Sequence, residues 1–168
     1  METNIKLVVF ESVDVPGRDK VGVEEIINSI DSVIHSDVAR QLVESGVFAP
    51  DVKNPRYGDL YFPSFLNDDH TINLERLELA LILSIRLMDK MVELSGKETD
   101  KLTLFLSGFN KYFDERKIRY DSDKRREELS FAQNFSRAVV ENESLELADE
   151  LGLKDSNGKY TVIVLTSP

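Results

Sequence analysis

The run from Leu74 to Leu94 constrains this chain more than any other part of it. Asn73 can cap its start and Gly96 can end it. Through the middle, Leu77, Leu79, Ala80, Leu81, Ile82, Leu83, Ile85, Leu87 and Met88 nearly encircle the helix axis, with polar residues gathered at both ends. A helix that is apolar on all sides is a buried one, so the flanking segments must wrap it. At 168 residues the chain can build one domain with a substantial core. The most apolar stretch, Leu79 to Leu83, is far too short to span a bilayer, and Arg86 soon follows. The helix is therefore expected inside a protein.

The remaining segments suggest what wraps it. Lys6 to Val13 is rich in β-branched and aromatic residues and reads as a strand, with Pro16-Gly17 as the turn that ends it. Val23, Ile26, Ile27, Ile30, Val33 and Ile34 recur at helical spacing. Ser36 can cap a short helix through Glu44, with Gly46 as its stop. Residues 47–70 form the longest irregular stretch, rich in proline and aromatics. Asp123 to Asn142 is a helix with Leu129, Ala132, Phe135 and Val139 on one face, and Ser144 can cap another that ends at Gly152. Asn157-Gly158 is a turn before a strand from Tyr160 to Thr166.

Residues 101–115 fit two patterns. Leu102, Phe105, Leu106, Phe109 and Phe113 follow helical spacing, whereas Leu102, Leu104 and Leu106 alternate as in a strand. The helical stripe runs longer, which favours a helix. The two clear strands lie at opposite ends of the chain, and a lone strand leaves its backbone groups unpaired. The economical solution joins them in one small sheet, with a third strand from 47–70 or from Leu102 to Ser107. The expectation is one α+β domain over 1–168, mainly helical. A central buried helix (about 74–94) would pack with surrounding helices and a small sheet holding strands at about 5–13 and 159–166.

Composition narrows the chemistry. The chain has no Cys, no Trp and two His, so thiol chemistry and a structural zinc site are disfavoured. No nucleophile elbow, phosphate loop or dinucleotide fingerprint occurs, and neither a cofactor nor a metal is called for. Acidic residues outnumber basic ones 31 to 21, giving a net charge of −10. Such a surface repels phosphates and anionic membranes; it serves solubility first, and it also favours a basic partner. Met1-Glu2-Thr3-Asn4 shows no secretory pattern, and a cytoplasmic protein is expected.

Four places could carry function. Asp68-Asp69-His70, with Glu75 nearby, could hold a divalent metal or act in acid–base catalysis. Turn chemistry before a helix accounts for the same residues more simply. His35 sits between two expected helices and suits a helix C-terminus. The basic cluster Arg116, Lys117, Arg119, Lys124, Arg125 and Arg126 interleaves with Tyr112, Phe113 and Tyr120, as a nucleic-acid-binding strip would. Asp114, Glu115, Asp121, Asp123, Glu127 and Glu128 neutralise much of it. Arg56, Tyr57, Tyr61, Phe62 and Phe65 could bind a protein partner or fold back over the core.

The favoured function is a non-enzymatic interaction protein, an adaptor, inhibitor or regulator that binds a macromolecule through an acidic, partly aromatic surface. A nucleic-acid mimic is one version of it. The alternatives are a small metal-assisted hydrolase or nuclease using Asp68, Asp69 and His70, and a nucleic-acid-binding accessory subunit using 111–126. The sequence leaves the oligomeric state open.

Overall fold

The computed structural model describes residues 8–16, 37–152 and 158–168. Helix α1 (Asp37–Glu44) leads into strands β1 (Phe48–Pro50) and β2 (Tyr57–Tyr61), and a 3-10 turn spans Phe62–Phe65. Helix α2 (Leu74–Ser95), strand β3 (Lys101–Ser107), helices α3 (Phe109–Glu115) and α4 (Asp123–Glu150), and strand β4 (Thr161–Thr166) complete the order. The architecture is α+β and mainly helical, with one four-stranded mixed sheet in the order β1-β2-β3-β4. β1 is antiparallel to β2, whereas β2, β3 and β4 run parallel. Parallel neighbours need long crossovers. α2 supplies the first, and α3 with α4 the second.

The central helix is as the sequence predicts. The Asn73 side chain accepts from the Arg76 N–H at 3.0 Å, and Gly96 ends the helix at φ 70°. Leu77, Ala80, Leu81, Ile85, Leu87 and Met88 are buried, while Ile82 and Leu83 are half-buried. The inner face of the sheet meets α2 and α4 through Phe48, Leu60, Leu102, Leu104, Leu106, Val162 and Val164. Gly58 lies on that face. A Cβ there would stand 2.7 Å from Phe48 Cε2 and 3.0 Å from Met88 Sδ, so the bare backbone lets α2 approach. No described helix is long and apolar enough to cross a membrane.

The structure corrects several expectations. Residues 5–7 of the expected first strand lie outside the described residues, and 8–13 form no strand. Instead the Val9 and Phe10 N–H groups donate to Gln41 Oε1, and the Val13 N–H donates to the Ser45 carbonyl at 2.8 Å. The segment thus runs beside α1. Among the described residues, β2 and β4 flank β3 on both sides, and β1 closes on β2 through a short loop.

Residues 101–115 satisfy both patterns, each over half the length. Alternation holds for β3 and helical spacing for α3, with Gly108 between them at φ 83°. α4 is continuous through Ser144, so no break separates two helices there. Ser144 is buried and works as a clasp rather than a cap. Its hydroxyl donates to the Tyr160 carbonyl at 2.6 Å and accepts from the Tyr160 N–H at 2.9 Å, pinning α4 to the start of β4. α1 and the Gly46 stop (φ 83°) match the expected short helix, while the stripe at 23–34 and His35 lie outside the described residues.

Candidate protein-interaction face

Side chains alternate across a pleated sheet, so the strands that bury one set of residues present a second set on the other side. Register places Tyr57, Thr103 and Ile163 in one row, and Asp59, Phe105 and Leu165 in the next. The Tyr57 and Phe105 rings lie 6.4 Å apart, and the Arg56 guanidinium sits 4.8 Å from the centre of the Tyr57 ring. Ile163 is 39% exposed and Leu165 42%. Asp59 accepts from the Ser107 hydroxyl at 3.0 Å. Among the described helices, α2 and α4 cover the opposite face. α1 packs on α2 and β1, and α3 packs on the 3-10 turn. The face made by Tyr57, Thr103, Phe105, Ile163 and Leu165 carries no helix layer among the described residues.

The aromatic loop divides differently from the sequence expectation. Tyr61, Phe62 and Phe65 are buried, so they belong to the core and cannot touch a partner. Phe62 stacks on Phe109 with centroids 4.6 Å apart and meets the edge of Tyr112 at 5.0 Å. Only Arg56 and half-buried Tyr57 stay at the surface, where they join the open sheet face.

Asp68, Asp69 and His70 form the exposed tip of the turn before α2. Asp69 Oδ1 accepts from the Thr71 hydroxyl at 2.5 Å and from its N–H at 3.1 Å, which holds the carboxyl below its ordinary range. His70 takes φ 66°, as a turn residue does. No group of three or more His, Cys, Asp or Glu placed to hold a metal occurs among the described residues.

The basic cluster is largely engaged within the chain. Arg116 pairs with Glu128 at 2.7 Å and donates to the Tyr112 hydroxyl at 2.6 Å, and that hydroxyl donates to Glu128. Burial pushes the Tyr112 hydroxyl up to about 12. Arg125 lies between Phe113 and Tyr120, 4.3 Å and 4.5 Å from their ring centres, and donates to Asn110 Oδ1. Arg126 pairs with Asp123, and Arg119 stands 3.8 Å from Asp121. Lys117 and Lys124 are exposed.

Sequence inspection missed the buried charges. Asp89, within the apolar helix, accepts from Lys159 Nζ and from the Tyr160 hydroxyl, each at 2.6 Å. Lys159 also reaches Glu93 at 3.0 Å. Arg86 bridges to buried Glu143 and to Glu150 on α4. These charges border a groove of about 300 Å³ floored by Leu83, Leu87 and Leu147. Each is already paired within the chain, so the network ties α2 to α4 and β4.

The comparisons with known proteins give no match: no family model, no curated protein and no solved structure matches this chain.

Proposed function

We propose that this protein is a non-enzymatic interaction protein, an adaptor, inhibitor or regulator, that binds a protein partner through the open face of β2, β3 and β4. One observation carries the proposal. Both crossover helices lie on one side of a parallel sheet, leaving Tyr57, Phe105, Ile163 and Leu165 on the other. Parallel strands are ordinarily covered on both faces and read as nearly continuous apolar runs. Val162-Ile163-Val164-Leu165 is such a run, half of it left open. The buried ionisable groups support the same reading, since their pairing holds helices together.

A photo-cross-linking residue at Leu165 tests this in the native cell, with one at Leu145, an exposed residue on α4, as the control. A discrete adduct from position 165, missing from 145 and abolished by Ile163→Asp, is the expected outcome. No adduct at 165, or the same adducts at both positions, would sink the proposal.

A further inference from the structure

We infer that a cavity beside the first turn of α2 binds a small zwitterion, with a free α-amino acid as the ligand class. The inference stands apart from the interaction reading above, since it uses no residue of the open sheet face. The cavity holds about 350 Å³. One wall is the segment 8–13, fixed to α1 by its bonds to Gln41 and Ser45. The other is the chain leaving β2, from Pro63 to Asp68, and Arg76 of α2 also lines it. Buried Phe10 and Val47 line its inner side. Open α/β sheets bind ligands outside the carboxyl ends of parallel strands, and this cavity lies where β2 ends.

Charge selects the ligand. Glu11, Asp68 and Arg76 line the cavity, and none of their side chains joins an ion pair or a hydrogen bond among the described residues. Elsewhere the chain matches such groups, Arg86 with Glu143, Arg116 with Glu128 and Lys159 with Asp89. Here a half-buried guanidinium and two carboxylates share one space but stand too far apart to pair. Ser64, on the same wall as Asp68, has a buried hydroxyl without a partner. A ligand carrying both charges answers this arrangement. Its carboxylate meets Arg76, a fork of donors suited to it, at the positive end of a 22-residue helix. Its ammonium meets Asp68 or Glu11, and the Ser64 hydroxyl gains an acceptor. A simple anion would face two carboxylates there, and a simple cation would face the guanidinium.

The wall that carries Asp68 is built without a ligand. Asp69 accepts from both donors of Thr71, and the Asn67 N–H donates to the Thr71 carbonyl at 2.8 Å. The His70 N–H donates to the Asn67 carbonyl at 2.9 Å, and Leu66 bridges to Ile72. Asp69 thus holds the turn, while its neighbour Asp68 lines the cavity. A wall fixed in advance loses little freedom on binding. The volume lies at the lower end of small-molecule sites, about 300–1,000 Å³, which suits a ligand of amino-acid size.

Differential scanning fluorimetry of the full chain, with each common L-amino acid at about 10 mM, reads the site by linkage. At least one should raise Tm saturably, by about 3 °C or more. Its N-acetyl and carboxamide derivatives each lack one charge and should bind at least about tenfold more weakly in isothermal calorimetry. Arg76→Gln and the pair Glu11→Gln/Asp68→Asn should each weaken binding as much, while their unliganded melts stay near that of the parent. Arg137→Gln, at an exposed position of α4 outside the cavity, should change nothing. The inference fails if no amino acid shifts Tm, if acetate or methylammonium alone binds as tightly, or if either cavity variant binds like the parent. None of these results alters the cross-link expected from position 165, so the two readings fail separately.

Discussion

Replacing Lys159 by methionine tests whether the buried carboxylate of Asp89 depends on one ammonium group. The Asp89 side chain is 2% exposed, and Lys159 Nζ lies 2.6 Å from Oδ1. Deleting one partner of a buried pair typically costs about 3–5 kcal/mol, because a charge is left in a poorly solvated place. Here the Tyr160 hydroxyl still donates to Asp89, and Lys159 itself is 18% exposed, so some water can reach the site. The expected loss therefore falls at or just below the bottom of that range, about 2–3 kcal/mol. In a domain of this size each kcal/mol moves Tm by about 2–4 °C, so Lys159→Met should melt roughly 4–12 °C lower.

The double variant Asp89→Leu/Lys159→Met removes both charges and should recover most of that loss, giving a coupling energy of about 2 kcal/mol. Urea denaturation followed by far-ultraviolet circular dichroism, with m-values compared across the cycle, measures it. A loss below about 0.5 kcal/mol for Lys159→Met, or a double variant whose loss equals the sum of the singles, would refute the reasoning.

The same cluster predicts an alkaline limit. Burial and the hydrogen bond to Asp89 raise the Tyr160 hydroxyl. Burial by itself would lower the Lys159 ammonium, but hydrogen bonds to Asp89 and Glu93 outweigh it and hold the group above its ordinary value. Folded values above unfolded ones mean that the stabilisation is complete below about pH 10 and is lost as pH rises further, so urea midpoints should fall above pH 10. Tyr160→Phe should flatten part of that fall. Ser144→Ala leaves a buried N–H and carbonyl of Tyr160 without their clasp and should cost about 1–3 kcal/mol, read from the same urea curves. Gly108→Ala combines φ 83° with a Cβ only 2.6 Å from Tyr61 Cε1, so a loss of about 1–3 kcal/mol is expected in thermal melts.

The parts of the fold that were legible in sequence are those where one local pattern dominates. The Asn73 cap, the encircling leucines and Gly96 delimit α2 to within a residue. The run after Tyr160 is a strand by composition alone. Residues 101–115 resisted because a strand and a helix abut there, and Gly108 marks the corner instead of weakening one continuous element. Ser144 misled because a serine in the middle of a helix is usually at odds with it, and its compensation came from Tyr160, sixteen positions away in sequence. β1 and β2 hid inside the proline- and aromatic-rich stretch. Phe48 and Leu60 there pair across the ladder, and Tyr61, Phe62 and Phe65 fill the core that a loop assignment leaves empty.

The open face was illegible for a different reason, and that reason bears on function. Ile163 and Leu165 look in sequence like ordinary residues of a buried strand, no different from Val162 and Val164. Nothing in the run shows that one set meets α2 and α4 while the other meets solvent, since that depends on which side both crossovers take. A strand apolar on both faces fits a sheet with two helical layers. Ile163 is 39% exposed and Leu165 42%, so replacing either by Asp gives up part of its apolar burial and strand propensity and should cost about 1–2 kcal/mol. Ile163→Asp and Leu165→Asp should therefore lower the urea midpoint modestly, leave the protein folded, and remove partner binding. If they unfold the protein instead, the face is covered by the chain itself and the binding surface lies elsewhere.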